Sequence, residues 1–320
     1  MALETAPPPT RAGASSTGRS GPGLDRAARW ARRAPLLPAL IFTIIVTQLP
    51  FLATLGISFL RWNLSDPDDR GFAGLDNYAA VFSDPALRDS VVNTVVLTAV
   101  VVVVSLVLGL GLALLLDQRF FGRGAVRTML IAPFLVVPVA AALLWKHALF
   151  NPEFGLLNGG LTWLGGVFGF DAPQPEWISD MPLTAVIVSL VWQWTPFMML
   201  ILLAGLQSRP MDVVEAAAID GATGFQVFRH LTFPHLRRYL ELGGLLGSIY
   251  IVQNFDAVFT ITGASLEAAN LPYQIYQTFY KAQDYGRASA AGVVVVVGSI
   301  IIATFALRTV SSLFKAEEGR

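Results

Sequence analysis

Few residues in this chain are equipped to do chemistry. Its 320 residues include no cysteine, three histidines (His147, His230, His235) and three lysines (Lys146, Lys281, Lys315). Without cysteine there are no disulfides, thiolate metal sites or thiol nucleophiles, and the histidines are too scattered for a histidine-rich metal site. Trp145, Tyr280 and Phe314 precede the three lysines. A phosphate-cradling loop ending in Gly-Lys-Ser/Thr is therefore absent. So are the HExxH zinc motif and the GxSxG nucleophile elbow. Carboxylates fall mostly in loops, as solvated groups. Asp171, Glu176 and Asp180 lie near one another but have no basic partner and no metal-ligand spacing. The expectation is no catalytic residue, no metal and no cofactor of the chain's own. Any energy used must come from a partner.

What remains is a set of polar and aromatic groups inside apolar segments. One stretch offers Trp192, Gln193, Trp194, Thr195 and Phe197 around Pro196, and another offers Tyr250, Gln253, Asn254, Phe255 and Asp256. On a continuous helix Gln253 and Asp256 would share a face, as would Tyr250 and Asn254. Polar groups at such depths face a bundle interior or a water-filled cavity. They read either as interhelical glue and packing or as the lining of a polar pathway. Lys146 carries two readings as well: a stem that snorkels to the headgroups, or a group on a polar pathway.

The elements that must position these residues are greasy. The chain is 54% hydrophobic and 14% charged, with zero formal net charge, a balance that points to the membrane and away from nucleic acid. A span needs about 20 apolar residues. Six segments qualify, at roughly 36–60, 91–116, 128–150, 183–206, 239–258 and 289–314, the fifth being interrupted by Gln253, Asn254 and Asp256. Lipid demands internally satisfied backbone groups, so valine-rich runs of this length read as helix rather than strand. The expected fold is all-α and integral to the membrane, with a permease domain over 36–314 and a C-terminal tail at 315–320.

Residues 1–35 are rich in Pro, Gly and Ser, with Arg26, Arg29, Arg32 and Arg33 before the first span. They read as a disordered basic tail. The following run is too long for a signal-peptide core, and no A-x-A-like cleavage site follows it. The N-terminal tail, the 117–127 and 207–238 loops and the C-terminal end hold sixteen Lys and Arg, against five in the alternate loops. That asymmetry places both termini and the 207–238 loop in the cytoplasm.

The 207–238 loop contains EAAAIDGATG, residues 215–224. Asp212 and Glu215 have the spacing of a capping box, with Pro210 upstream. Ala216, Ala217 and Ala218 favour helix and keep its surface low. Gly221 is placed to end that helix in the left-handed conformation. Thr223 and Gln226 repeat the capping signal for a second short helix, which Pro234 closes. Local patterning leaves two readings: an amphipathic connector on the membrane surface, or a docking helix for a cytoplasmic partner.

The pattern formed by Glu215, Ala216, Ala217, Asp220, Gly221 and Ala222, with Phe228, Leu231 and Pro234, resembles the EAA loop of permease subunits in bacterial binding-protein-dependent ABC importers. FAGLDNYAAVF (72–82), RGAVRTMLIAPFLVVP (123–138), LFNPEFGLLN (149–158), WQWTPFMMLILLAGLQ (192–207) and YGRASAAG (285–292) are similar to the carbohydrate branch, the relatives of the maltose and glycerol-phosphate permeases. The resemblance covers about residues 36–314. Two positions depart from the family pattern: Arg238 stands where a second proline is common, and TGASLEA (262–268) stands where Gly-Gly-Pro is usual.

The resemblance implies a type I ABC importer permease fold of six spans in the bacterial cytoplasmic membrane. The partners it implies are a second homologous permease subunit, two ATP-binding cassette subunits using ATP and Mg, and an extracytoplasmic solute-binding protein. In that family the EAA loop forms a coupling helix seated in the ATPase, which would place Glu215, Ala217, Asp220 and Gly221 at the contact. The maltose relative's sugar site maps to Gln193, Trp194, Phe197, Asn254 and Asp256. Residues 270–297 look more like the sugar-alcohol permeases, which favours sorbitol or mannitol over a disaccharide. Two rivals follow from the residues alone: an ion-coupled secondary transporter, whose internal repeats and midplane ionisable relays are not evident, and an integral membrane enzyme.

Overall fold

A computed structural model describes residues 34–318 apart from 264 and 266. The N-terminal tail assigned above lies outside the described residues up to position 33. The chain falls into two units, one ending at Ala53 and one beginning at Thr54. Helix α1, Leu37–Ile57, is apolar but for Thr43, Thr47, Gln48 and Thr54. The hydroxyls of Thr43 and Thr47 donate to Ala39 O (2.9 Å) and Thr43 O (2.8 Å), so neither is left unmet.

Beyond α1, Leu60–Arg61 (β1) and Gly71–Phe72 (β2) pair antiparallel, Leu60 opposite Phe72. Helix α2, Asp76–Ser83, leads into α3, Pro85–Asp117. The start of α3 is set by Asp84, whose carboxylate accepts from Ala86 N at 2.9 Å, and by Pro85 in the first turn. After α3 come α4 (Arg123–Leu135), α5 (Pro138–Leu144), α6 (Leu156–Phe168), α7 (Trp177–Asp180) and α8 (Pro182–Gln207). The remainder is α9 (Met211–Ile219), α10 (Gly224–Val227), α11 (Phe233–Val252), α12 (Asp256–Thr262), α13 (Leu271–Tyr276) and α14 (Tyr285–Glu318). The last helix thus runs on through most of the segment expected to be a tail.

Helices α3 and α8 form the most extensive pair. A Cβ on Gly109 would fall 2.8 Å from Met199 N and 2.9 Å from Met198 Cβ, so only glycine allows this approach. Leu97, Val101 and Val102 of α3 meet Val186 and Leu190 of α8, together with Ile251, Val258 and Tyr273. Nearer the other end, Ala113 and Leu116 pack with Met199, Leu202, Leu206 and Leu236.

Six spans were expected, the fifth interrupted by polar residues, and the structure breaks two of them. Among the described residues, Leu37–Ile57, Pro85–Asp117 and Pro182–Gln207 are each long and apolar enough to cross a membrane alone. The third expected span is instead bent by 98° between α4 and α5, and the fifth by 52° between α11 and α12. Helix α14 runs through the sixth expected span. The 98° break follows from Pro138, which drives Val137 into extended backbone (φ −56°, ψ 133°). Pro138 also offers no N–H with which to continue the helix.

Candidate functional sites

Helix α9 stands where the EAA pattern predicts a helix, and its stop is as expected. Gly221 has φ +82°, and Ala222 N and Gly221 N donate to Ala217 O (2.9 Å) and Ala218 O (3.1 Å). This is the doubly bonded left-handed stop that an L side chain would strain. Thr223 and Gln226 form a reciprocal capping box. Two local expectations fail. Asp212 does not cap α9: Pro210 holds the cap position and no side chain bonds there, because the helix begins one residue before Asp212. Nor does Pro234 close a helix. A wide turn over Phe228–Thr232, closed by Phe233 N on Phe228 O, carries the helix through into α11, where the missing N–H of Pro234 falls in the first turn.

No residue of α9 is buried. Glu215, Ala216, Asp220 and Gly221 are exposed, whereas Ala217 and Ala222 are half-buried. Ile219 (86% exposed) and Phe225 (71%) stand out in solvent, and of the two the sequence placed only Phe225, in the second short helix. An apolar residue between Ala218 and Asp220 was the available signal. Beneath α9 lies a polar base that was also missed. Arg209 Nη2 meets Asp117 Oδ2 at 2.5 Å, each side chain about one-fifth exposed, and Nη1 donates to Thr232 Oγ1 at 3.4 Å. Ser208 Oγ lies 2.7 Å from Tyr239 OH and 3.2 Å from His235 Nε2, which is 3.1 Å from Gly205 O.

The second group of residues gathers at the two bends. Gln193 is buried, and its Nε2 donates to Val136 O (3.1 Å), a carbonyl released by the 98° break. Phe134 stacks on Phe197 (5.2 Å between centroids) and meets Trp194 edge-on at 5.7 Å. Trp194 also meets Phe197 (5.6 Å) and Tyr250 (5.5 Å). Trp192, two residues away, points instead to Trp145 at 5.8 Å.

The pairing of Gln253 with Asp256 and of Tyr250 with Asn254 on one continuous face does not hold, because the helix stops at Val252 and restarts at Asp256. Asn254 occupies the bend, with Oδ1 accepting from Ala257 N at 3.3 Å and its carbonyl accepting from Asn270 Nδ2. Gln253 is exposed and bonds back to Ile249 O at 3.1 Å, while Asp256 is half-buried in the first turn of α12. Lys146 does not reach outward as a free stem. Its Nζ donates to Thr260 O at 2.9 Å, meeting a carbonyl near the end of α12.

An apolar helical bundle with two bent helices, an aromatic cluster at the bends and an exposed, glycine-stopped helix on one loop has the makeup of a polytopic integral membrane protein. Residues 105–313 match the family model for the inner membrane component of binding-protein-dependent transport systems, and the chain belongs to that family as a permease subunit. It is 35% identical over 265 residues to a probable ABC transporter permease protein y4oQ of Sinorhizobium fredii, covering 82% of this chain and 84% of that one. Against the trehalose/maltose transport system permease protein MalF of Thermococcus litoralis it is 33% identical over 262 residues, 81% of this chain and 86% of the other. A solved bacterial ABC transporter involved in import of the acidic polysaccharide alginate shares the fold, with a TM-score of 0.76 at 21% identity over 90% of this chain and 97% of that one.

Proposed function

We propose that this chain is the membrane-spanning subunit of an ATP-driven importer that takes a sugar or sugar alcohol from an extracytoplasmic binding protein. The bent pairs α4–α5 and α11–α12 each count as one span, giving six with α14, and both termini face the cytoplasm. Helix α9 is the coupling helix. It is stopped by Gly221 and has no buried residue, so its small face and the exposed Ile219 are free to enter a groove of a partner ATPase. That observation carries the reading. The chain binds no nucleotide itself; ATP and Mg belong to the partner. Two permease subunits, this one and a non-identical homologue, enclose the path. Closure of the ATPase pair draws the coupling helices together and turns the spans outward.

The path is lined at the bends by Trp194, Phe197, Tyr250 and Asn254, with Gln193, Gln253 and Asp256 as further polar groups. Aromatic faces there can stack on a sugar's apolar side while amides meet its hydroxyls. A sorbitol- or mannitol-type polyol is the first reading. A disaccharide is the second, favoured by the relative named for trehalose and maltose.

Co-purification of the chain with the products of its neighbouring genes tests the docking role. Glu215→Lys and Gly221→Pro are expected to lose the ATPase; retention by both would sink the coupling-helix assignment.

A further inference from the structure

The ion pair beneath α9 links two regions far apart along the chain. Arg209 lies directly before Pro210, the cap of α9. Its partner Asp117 is the last residue of α3. The contact at 2.5 Å is partly shielded, with 19% and 20% of the two side chains exposed, so water screens it less than an open surface pair. Nη1 reaches Thr232 in the wide turn that leads into α11, while Nε is buried with no partner among the described residues. One guanidinium thus touches the end of α3, the entrance of α9 and the entrance of α11.

The far end of α3 is equally well tied. Asn93 Nδ2 donates to Glu267 O (2.9 Å) and Ala269 O (3.0 Å), and Thr94 Oγ1 accepts from Leu271 N at 2.9 Å. The next residue in that segment, Asn270, donates to the carbonyl of Asn254 at the bend between α11 and α12. Between these two anchorages α3 is a single unbroken helix, about 36 Å from Asn93 to Asp117 at 1.5 Å per residue. It lies close against α8 at Gly109. A displacement at one end has few ways to dissipate before the other.

We propose that Asp117 and Arg209 are positioning residues forming the joint through which movement of α9 is passed to α3, and through α3 to the segment that holds Asn254. The proposal rests on the docking role given to α9. It differs from a static staple in one respect: breaking the joint disconnects the two ends without detaching the ATPase.

The absence of cysteine from the chain makes the test clean. Val92 (56% exposed) on α3 and Leu156 (70%) on α6 are each replaced by cysteine and spin-labelled in the full complex. Their distance distribution is measured with and without a non-hydrolysable ATP analogue. The unaltered joint is expected to show a nucleotide-dependent shift. Asp117→Asn and Arg209→Gln are expected to abolish it while the ATPase still co-purifies, and the charge swap Asp117→Arg with Arg209→Asp is expected to restore it. A shift that persists in both single variants overturns the joint, as does no shift with the joint intact and the ATPase bound. Loss of the ATPase from the single variants also overturns it, since the pair would then serve docking alone. If the single variants are not recovered as folded membrane protein, the charge swap decides: a restored shift upholds the joint and an absent one overturns it. Failure of the ATPase to accompany the unaltered chain would overturn the docking role itself, and the joint with it.

Discussion

Helices α3 and α8 are continuous and packed to backbone contact, whereas the pairs α4–α5 and α11–α12 are bent by 98° and 52°. The continuous helices meet through glycine, methionine and leucine, and their hydroxyls mostly return to their own backbone, as Thr195 does to Val191 O at 2.6 Å. The bent pairs expose carbonyls that other segments must meet, and Gln193, Asn270 and Lys146 meet them. The difference teaches where a membrane protein can place polar function. Irregular backbone is tolerated only where protein or a cavity satisfies it, so the same bends that need side-chain amides also gather Phe134, Trp194, Phe197 and Tyr250.

Four substitutions break or sharpen that contrast. The largest effect is expected from Gly109→Leu. A side chain there collides with the backbone of Met199, an overpacking cost of about 3 kcal/mol, read as a lower unfolding temperature in detergent. Gln193→Leu should leave Val136 O unmet at the sharper bend for about 2 kcal/mol. An equal change at a continuous helix, Thr195→Val, should cost less, and equal losses would erase the distinction. Trp194→Ala should reduce uptake about tenfold, equivalent to roughly 1.4 kcal/mol, with assembly intact; wild-type uptake would remove the cluster from the path.

The smallest effect belongs to Tyr273, in α13 between the spans. Burial raises its pKa above the ordinary 10.0, partly offset by a bond with Gln277, with Tyr276 adding to the rise. The neutral hydroxyl, which donates to Gly263 O, is therefore the form favoured by folding. Its contribution is complete below the unfolded value and lost as pH rises through the raised folded value. Tyr273→Phe should cost about 1 kcal/mol at neutral pH and flatten the fall in unfolding temperature as pH rises above 10.0. An unchanged slope would contradict this.

Local physics made part of this legible in the residues. Gly221 and the Thr223–Gln226 box mark the end of one helix and the start of the next, because backbone conformation and capping are decided within four residues. Trp194, Phe197, Tyr250 and Asn254 were identifiable as polar or aromatic groups in apolar runs. Phe134 was not, since a phenylalanine in such a run carries no signal until the chain bends toward Trp194. Asp212 and Pro234 misled for the opposite reason: each matches a local rule that a neighbouring turn overrode.

By itself the sequence determined the apolar helical character, the family pattern around Glu215 and Gly221, and the lack of any nucleotide loop. These depend on composition and on spacings of a few residues. Only the tertiary structure decided the depth of the two bends, the amide that repairs one of them, and the pairing of Asp117 with Arg209 across 92 positions or of Lys146 with Thr260 across 114. Each of those contacts joins segments far apart in the chain. Their geometry is set by how whole helices pack, and no short stretch of chain encodes that.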